Sequence, residues 1–170
     1  GMGGSILGTK AIYTFLGNKI KKNFFFLDNL EQKNFNLIKK KNQKNFLFIL
    51  ISKSGNTIET IVNVNMLKNL SLYTKNIIII TENKNSALSK LSKNKKIKLI
   101  EHRNYIGGRY SVLTEVGMVP AYLMGLNISA FRKNILNFLN DKKVFLAKSV
   151  ALLSEIYLAG NIKSIILMNY

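Results

Sequence analysis

The chain has 170 residues, of which 47% are hydrophobic, enough for one domain with a sizeable core. No apolar run approaches the roughly 20 residues of a membrane span, and no signal-peptide pattern opens the chain, while cysteine is absent and His102 is the single histidine. Disulfides and multi-histidine metal sites are therefore excluded, and we expect a cytoplasmic protein. The net charge of +18 is almost all lysine, which argues against specific nucleic-acid binding through arginine forks.

Helical and strand-like segments alternate along the chain. In chain order, the predicted elements are a helix at Ser5 to Leu16, a short buried strand at Phe24 to Leu27, a helix at Leu30 to Lys40, a strand at Phe46 to Ser52, a helix at Thr57 to Leu70, a strand at Asn76 to Thr81, a helix at Ser86 to Ser92, a strand at Lys98 to His102, helices at Ile128 to Leu139 and Val144 to Ala159 in the largely helical part after Pro120, and a strand-like run at Ser164 to Tyr170. Continuous apolar runs such as 77–80 are typical of strands buried on both faces. The alternation predicts an α/β fold, a doubly wound and mostly parallel sheet flanked by helices in a flavodoxin-like three-layer sandwich.

The segment from Ser52 to Thr60 (SKSGNTIET) lies between a strand-length apolar run and a helical pattern. Such a loop forms an anion cradle, because the first-turn N–H groups point into it and the helix dipole favours negative charge there. The hydroxyl groups at 52, 54 and 57 can add donors. A plain helix cap by Thr57 or Asn56, with Glu59 in the first turn, is the alternative. A cap needs only one hydroxyl, so the anion site is favoured.

Two further loops carry glycines where strands would end. Gly1 to Gly8 (GMGGSILG) allows close approach of the backbone to a ligand, although a plain tight turn is equally compatible with it. Asn104 to Leu113 (NYIGGRYSVL) holds an arginine that could stabilise negative charge on a reacting oxygen, or could simply be salt-bridged in a turn. Because ligands of doubly wound sheets bind at the carboxyl ends of strands, we expect the three loops to converge on one anionic ligand.

These motifs give the chain a specific resemblance over essentially its whole length. It resembles the glucose-6-phosphate isomerase (phosphoglucose isomerase) family, in particular the first sugar-isomerase (SIS) domain. The match runs through GMGGSILG and SKSGNTIET and is strongest at GGRYSVLT, which continues into residues 116–120. The resemblance implies interconversion of glucose 6-phosphate and fructose 6-phosphate through a cis-enediolate, without a metal or a cofactor.

The resemblance also implies roles for individual residues. Arg109 matches the arginine beside the C1 and C2 oxygens of the sugar, where it would stabilise the enediolate. The implied phosphate ligands, which are hydroxyl groups and two backbone N–H groups, are Ser5, Ser52, Lys53, Ser54, Gly55 and Thr57. Other matching site positions are Gly4, Glu59 and Gly108.

The chain departs from the family pattern in two respects. Glu115 stands where the family usually has a small residue or proline. The family takes its catalytic glutamate from a second SIS domain, and a ring-opening histidine and a lysine from later segments, and none of these has a match here. His102 is not the family histidine, so we expect for it a surface or strand-end role. We therefore expect the 170-residue chain to bind sugar phosphate weakly and to isomerise it negligibly.

The predicted organisation is a first SIS domain with C-terminal helices over 1–160, followed at 161–170 by a strand that would lead into a second SIS domain. The chain looks cut at both ends, because no strand precedes its glycine-rich turn and nothing follows its last strand. Two other functions stay open: a stand-alone SIS domain that senses a phosphosugar, and an SIS-type isomerase of a different phosphosugar. The expected partners are a sugar phosphate and a second copy in a homodimer, with neither a specific nucleic acid nor a membrane.

Overall fold

A three-stranded parallel sheet is formed by the residues that this computed structural model describes, namely 1–31, 35, 36, 38, 41, 43–67 and 74–160. Its strands are β1 (Phe48–Ile51), β2 (Ile77–Thr81) and β3 (Lys98–Glu101), in that order across the sheet. Phe48 lies opposite Ile77, and Ile78 lies opposite Lys98. The crossovers contain α2 (Ile58–Met66) and α3 (Ala87–Lys95), so the predicted α/β fold with a parallel sheet is confirmed.

Both faces of the sheet are covered by apolar side chains, as the run at 77–80 predicted. On one face the side chains of Leu50 and Ile79 pack with Leu88 of α3. On the other face Ile51 and Ile80 pack with Val116. Burial on both sides explains why β1 and β2 are apolar almost throughout, and it gives the three-layer arrangement.

Two further helices pack against each other. They are α1 (Leu7–Phe15), which follows a 3₁₀ turn at Gly3–Ser5, and α4 (Glu115–Leu123). Helix α4 contains Pro120, which lacks the N–H that would bond to the carbonyl of Val116 four residues earlier. The hydroxyl of Thr9 donates to that carbonyl instead, at 3.4 Å. The contact between α1 and α4 thus satisfies the carbonyl that proline leaves free.

The chain divides into two compact units, Gly1–Ile128 and Ser129–Tyr170. Near and beyond this boundary lie α5 (Ile128–Arg132) and the long helix α6 (Ile135–Leu158). We predicted a break between residues 139 and 144, but the helix is continuous there. The polar run at 140–143 contains neither glycine nor proline, and its side chains lie exposed on the helix surface. None of the described helices is long and apolar enough to cross a bilayer.

Several other predictions of secondary structure are wrong or cannot be compared with the structure. The strand predicted at Phe24 to Leu27 is wrong: its backbone pairs with no described strand, and Phe24 and Phe26 pack instead around Tyr13 at centroid distances of 5.7 and 5.4 Å. Phe15, the last residue of α1, is 85% exposed. Most of the helix predicted at 30–40, the end of the helix predicted to reach residue 70, and the final strand lie outside the described residues.

Candidate functional site

The hydroxyl groups of the 52–57 loop converge at the carboxyl end of β1. Ser52 continues β1, since its N–H donates to the carbonyl of Ile80 at 3.1 Å. The Oγ1 atom of Thr57 lies 2.8 Å from the Oγ atom of Ser52 and 3.4 Å from that of Ser54. Two serine hydroxyl groups within hydrogen-bond distance of the Thr57 hydroxyl form, with it, a cluster of rotatable groups at the beginning of α2.

The plain helix-cap interpretation of this loop does not hold. Thr57 occupies the N-cap position of α2, but no side chain accepts a hydrogen bond there. The amide oxygen of Asn56 accepts at 2.8 Å from the N–H of Ala87, at the start of α3. Glu59 lies exposed in the first turn of α2. The first turn of α2 is therefore left uncapped by its own loop, which is the arrangement an anion-binding helix end requires.

Gly55 holds this loop in shape through a conformation that other residues adopt only at a cost. Its φ is +67°, and a Cβ atom there would lie 2.2 Å from the Oγ of Ser86. The N–H of Gly55 donates both to the carbonyl and to the Oγ of Ser52, each at 3.1 Å. This donor is engaged within the loop, so the N–H that we expected to face phosphate serves here to close the turn.

Hydrogen bonds link the three predicted loops to one another. Lys53 of the second loop donates through Nζ to the carbonyl of Asn104 in the third, at 2.8 Å. The single O–H of Ser111 in the third loop is shared between the carbonyl of Gly108, at 2.6 Å, and the carbonyl of Gly4 in the first loop, at 3.3 Å. The first loop also reaches the end of β1, because a Cβ atom on Gly1 would lie 2.8 Å from the carbonyl oxygen of Ile51.

Glycine is required where the first and third loops meet. A Cβ atom on Gly4 would lie 2.2 Å from the carbonyl oxygen of Gly108, so only a bare backbone fits there. The turn at Gly108–Tyr110 is closed by Ser111, whose Oγ donates to the Gly108 carbonyl at 2.6 Å. Arg109 in this turn is exposed and makes no ion pair with any residue in the described part of the chain. Its guanidinium is thus available to a ligand at the edge where the loops meet.

Positive charge borders the same edge. Glu82, which follows β2, is buried and lies 2.5 Å from Lys84 Nζ and 3.6 Å from Lys53 Nζ. The hydrogen bond from Lys84, together with the two lysine charges, holds the pKa of Glu82 below its usual value despite burial. Within the described residues no cluster of histidine, aspartate or glutamate side chains could hold a metal ion.

Ser5, Ser52, Ser54 and Thr57 thus lie in loops that the fold connects, and so do the glycines and Arg109. The sequence analysis missed the surroundings of two residues. His102 is at a strand end, as expected, but it is buried rather than on the surface, and Nδ1 of its ring contacts the carboxylate of Glu115. The sequence contained a signal for this contact, because the single histidine precedes the glycine–arginine motif and the unexpected glutamate follows it.

A parallel α/β sheet places the chain in the class of α/β proteins whose ligands lie at the carboxyl ends of strands. The serine- and threonine-rich loop, the glycine-rich turn and an arginine without an ion pair among the described residues all lie at that edge. Sequence comparison is more specific. A sequence model of the phosphoglucose isomerase family matches residues 1–142, and the chain belongs to this family.

Individual relatives agree with that assignment. Glucose-6-phosphate isomerase of Methanocaldococcus jannaschii is 35% identical over 133 residues, which cover 76% of this chain and 33% of that protein. The enzyme of the same name from Mycoplasma genitalium is 30% identical, over 83% of this chain and 35% of the relative. A crystal structure of a hypothetical protein from Thermus thermophilus is 28% identical with a TM-score of 0.69, over 76% of this chain and 33% of that one. The chain thus spans about a third of the length of these relatives.

Proposed function

We propose that this chain supplies the phosphate-binding part of an aldose–ketose isomerase that interconverts glucose 6-phosphate and fructose 6-phosphate. The observation that carries the proposal is the linkage of three loops at one sheet edge: Lys53 bonds to Asn104 at 2.8 Å, and Ser111 bonds to Gly4 at 3.3 Å. A hydroxyl cluster and a guanidinium that has no ion pair among the described residues are thereby part of one connected structure. That combination suits a ligand with a phosphate at one end and developing negative charge at the other.

In this proposal the phosphate is held at the uncapped start of α2. Its ligands are the hydroxyl groups of Ser5, Ser52, Ser54 and Thr57 and the backbone of Lys53. Gly4 lets the backbones of the first and third loops approach each other at the carbonyl of Gly108, and Gly55 lets the second loop pack against Ser86. Glu59 orders the first turn of α2. The phosphate lies far from the reacting carbons, and its binding would hold the sugar in place. The binding energy of this remote group could then be used to orient C1 and C2 for the reaction.

The reaction moves a proton between C2 of the aldose and C1 of the ketose, with electron pairs shifting through a cis-enediolate and no net oxidation. Arg109 would stabilise the negative charge of the enediolate oxygens. The proposal assigns no catalytic base to this chain. A positioned general base typically contributes about 10²–10⁴-fold, so we propose weak binding and negligible turnover by the 170-residue chain.

A phosphosugar sensor without catalysis is the competing function. A sensor needs the hydroxyl cluster, but it has no use for a cation beside the reacting carbons. The exposure of Arg109 without an ion pair among the described residues favours the isomerase over the sensor. A cytoplasmic homodimer that needs no cofactor and binds no specific nucleic acid belongs to the same proposal, supported by the family and by the absence of cysteine.

The test is a calorimetric titration of the chain with fructose 6-phosphate, fructose and inorganic phosphate. We expect saturable binding of the two phosphate-containing ligands and none of fructose. The double variant S52A/T57V should weaken binding of both by about tenfold or more, because two hydroxyl donors to a charged group are lost. S149A is the matched control, since the Ser149 hydroxyl is exposed and bonds at 2.9 Å to the Phe145 carbonyl within α6. Equal binding by both variants would refute the assignment of the hydroxyl cluster.

A further inference from the structure

A buried histidine lies directly before the glycine–arginine loop. His102 is only 1% exposed, and its N–H donates at 2.9 Å to the carbonyl of Thr81, which extends the pairing of β3 with β2 by one residue. Its backbone is therefore fixed by the sheet. A side chain on such a rigid support can determine where a neighbouring loop lies.

Both ring nitrogens of His102 face acceptors. Nδ1 contacts Oε1 of Glu115, and Nε2 lies 3.2 Å from the carbonyl oxygen of Ile106. Glu115 is the first residue of α4, where the helix dipole favours a carboxylate. Each ring nitrogen can take part in one hydrogen bond, so the ring can bridge the carbonyl of the loop and the carboxylate of the helix.

These contacts fasten the loop at two points. The carbonyl of Ile106 is separated from Arg109 only by Gly107 and Gly108, which have no side chains to restrain the backbone. The other charged groups of this segment, Glu101 and Arg103, are exposed and pair with each other at 3.6 Å. The contact between the buried His102 and the half-buried Glu115 thus holds the residues before the turn to the helix after it.

We propose that His102 and Glu115 form a positioning pair that fixes the Gly107–Arg109 turn and thereby the place of the Arg109 guanidinium. The value of the pair to the reaction rests on the proposed isomerase function, whereas its effect on the loop does not. Neither residue touches a reacting atom in this proposal. Their contribution is to keep the cation from sampling other positions at the mouth of the site.

The effect on the loop is measured first, without any ligand. Amide hydrogen exchange is followed in the wild type, in E115A and in E101Q, which removes a nearby exposed carboxylate as the matched control. The reporters are the amides of Tyr110 and Ser111, which bond to the carbonyls of Gly107 and Gly108 at 2.9 and 3.3 Å. We expect exchange about tenfold faster in E115A and unchanged exchange in E101Q. Unchanged exchange in E115A would overturn the proposal, as would faster exchange that extends to the β2 amides.

The effect on the site is measured with two ligands. Inorganic phosphate probes the hydroxyl cluster alone, and a five-carbon aldonic acid 5-phosphate adds a carboxylate that stands in for the enediolate oxygens. E115A should bind the aldonic acid phosphate about tenfold more weakly and inorganic phosphate within twofold of wild type. Equal losses for both ligands, or none, would overturn the positioning role. If the wild type binds neither ligand, the proposed function fails, and hydrogen exchange still decides the role of the pair.

The contact between the ring and Glu115 has its own signature. Because His102 is the only histidine, the ring nitrogens give a single pair of ¹⁵N signals. We expect the Nδ1 signal to shift in E115A and to keep its wild-type position in E101Q. An unchanged Nδ1 signal in E115A would overturn the pairing of His102 with Glu115.

Discussion

Replacing Gly55 by alanine tests whether the hydroxyl loop depends on a backbone that only glycine adopts without cost. At a φ of +67° an alanine costs about 1–2 kcal/mol. In addition, the new Cβ atom would lie 2.2 Å from the Oγ of Ser86, a buried residue that caps α3. Relief of that overlap adds about 1–3 kcal/mol, so G55A should lower the free energy of unfolding by about 2–5 kcal/mol.

Gly125 provides the matched control. Its φ is +86°, but a Cβ atom there would meet no heavy atom within 4 Å. G125A should therefore lower the free energy of unfolding only by the cost of the left-handed backbone, about 1–2 kcal/mol. Replacing glycine by alanine also lowers the conformational entropy of the unfolded chain, and this effect is the same in both variants. Urea unfolding followed by circular dichroism gives both free energies. If G55A is no less stable than G125A, the overlap with Ser86 does not constrain the loop and our reasoning is refuted.

Three further predictions concern the helix contact, the buried carboxylate and the arginine. T9V removes the hydroxyl that serves the Val116 carbonyl and should cost about 1–2 kcal/mol in urea unfolding; a neutral effect would show that water replaces it. The pKa of Glu82 is lowered in the folded state, so its charge stabilises the fold above its unfolded pKa, and this contribution is lost as pH falls. E82Q should therefore lose less stability than wild type in thermal melts between about pH 5 and 3, and equal losses would contradict this. R109A should bind inorganic phosphate within about twofold of wild type and an aldonic acid 5-phosphate about tenfold more weakly, by calorimetry; a uniform loss would place the guanidinium at the phosphate.

Much of the fold could be predicted because its signals are local. The apolar run at 77–80 indicated a doubly buried strand, and β2 is that strand. The change from an apolar run to small hydroxyl residues indicated the end of β1 and the start of α2 within one or two residues. Hydrophobic periodicity and turn chemistry depend on neighbours in sequence, so they can be recognised without knowledge of tertiary contacts.

The features that were missed depend on partners distant in sequence. We took Pro120 as the start of the largely helical part of the chain and predicted no helix across it. Helix α4 starts before Pro120, and its Val116 carbonyl is satisfied by Thr9, 107 residues away. The aromatic run at 24–27 looked like a strand, but ring packing against Tyr13, not strand pairing, determines its place. The pairing of His102 with Glu115 likewise appears only when the loop between them is folded.

A crystal structure of the chain with bound fructose 6-phosphate tests the central claim most directly. Our account predicts the phosphate group within hydrogen-bond distance of the Ser52, Ser54 and Thr57 hydroxyl groups, with C1 and C2 of the sugar towards Arg109. A phosphate held elsewhere, or a sugar whose reactive carbons point away from Arg109, would contradict it.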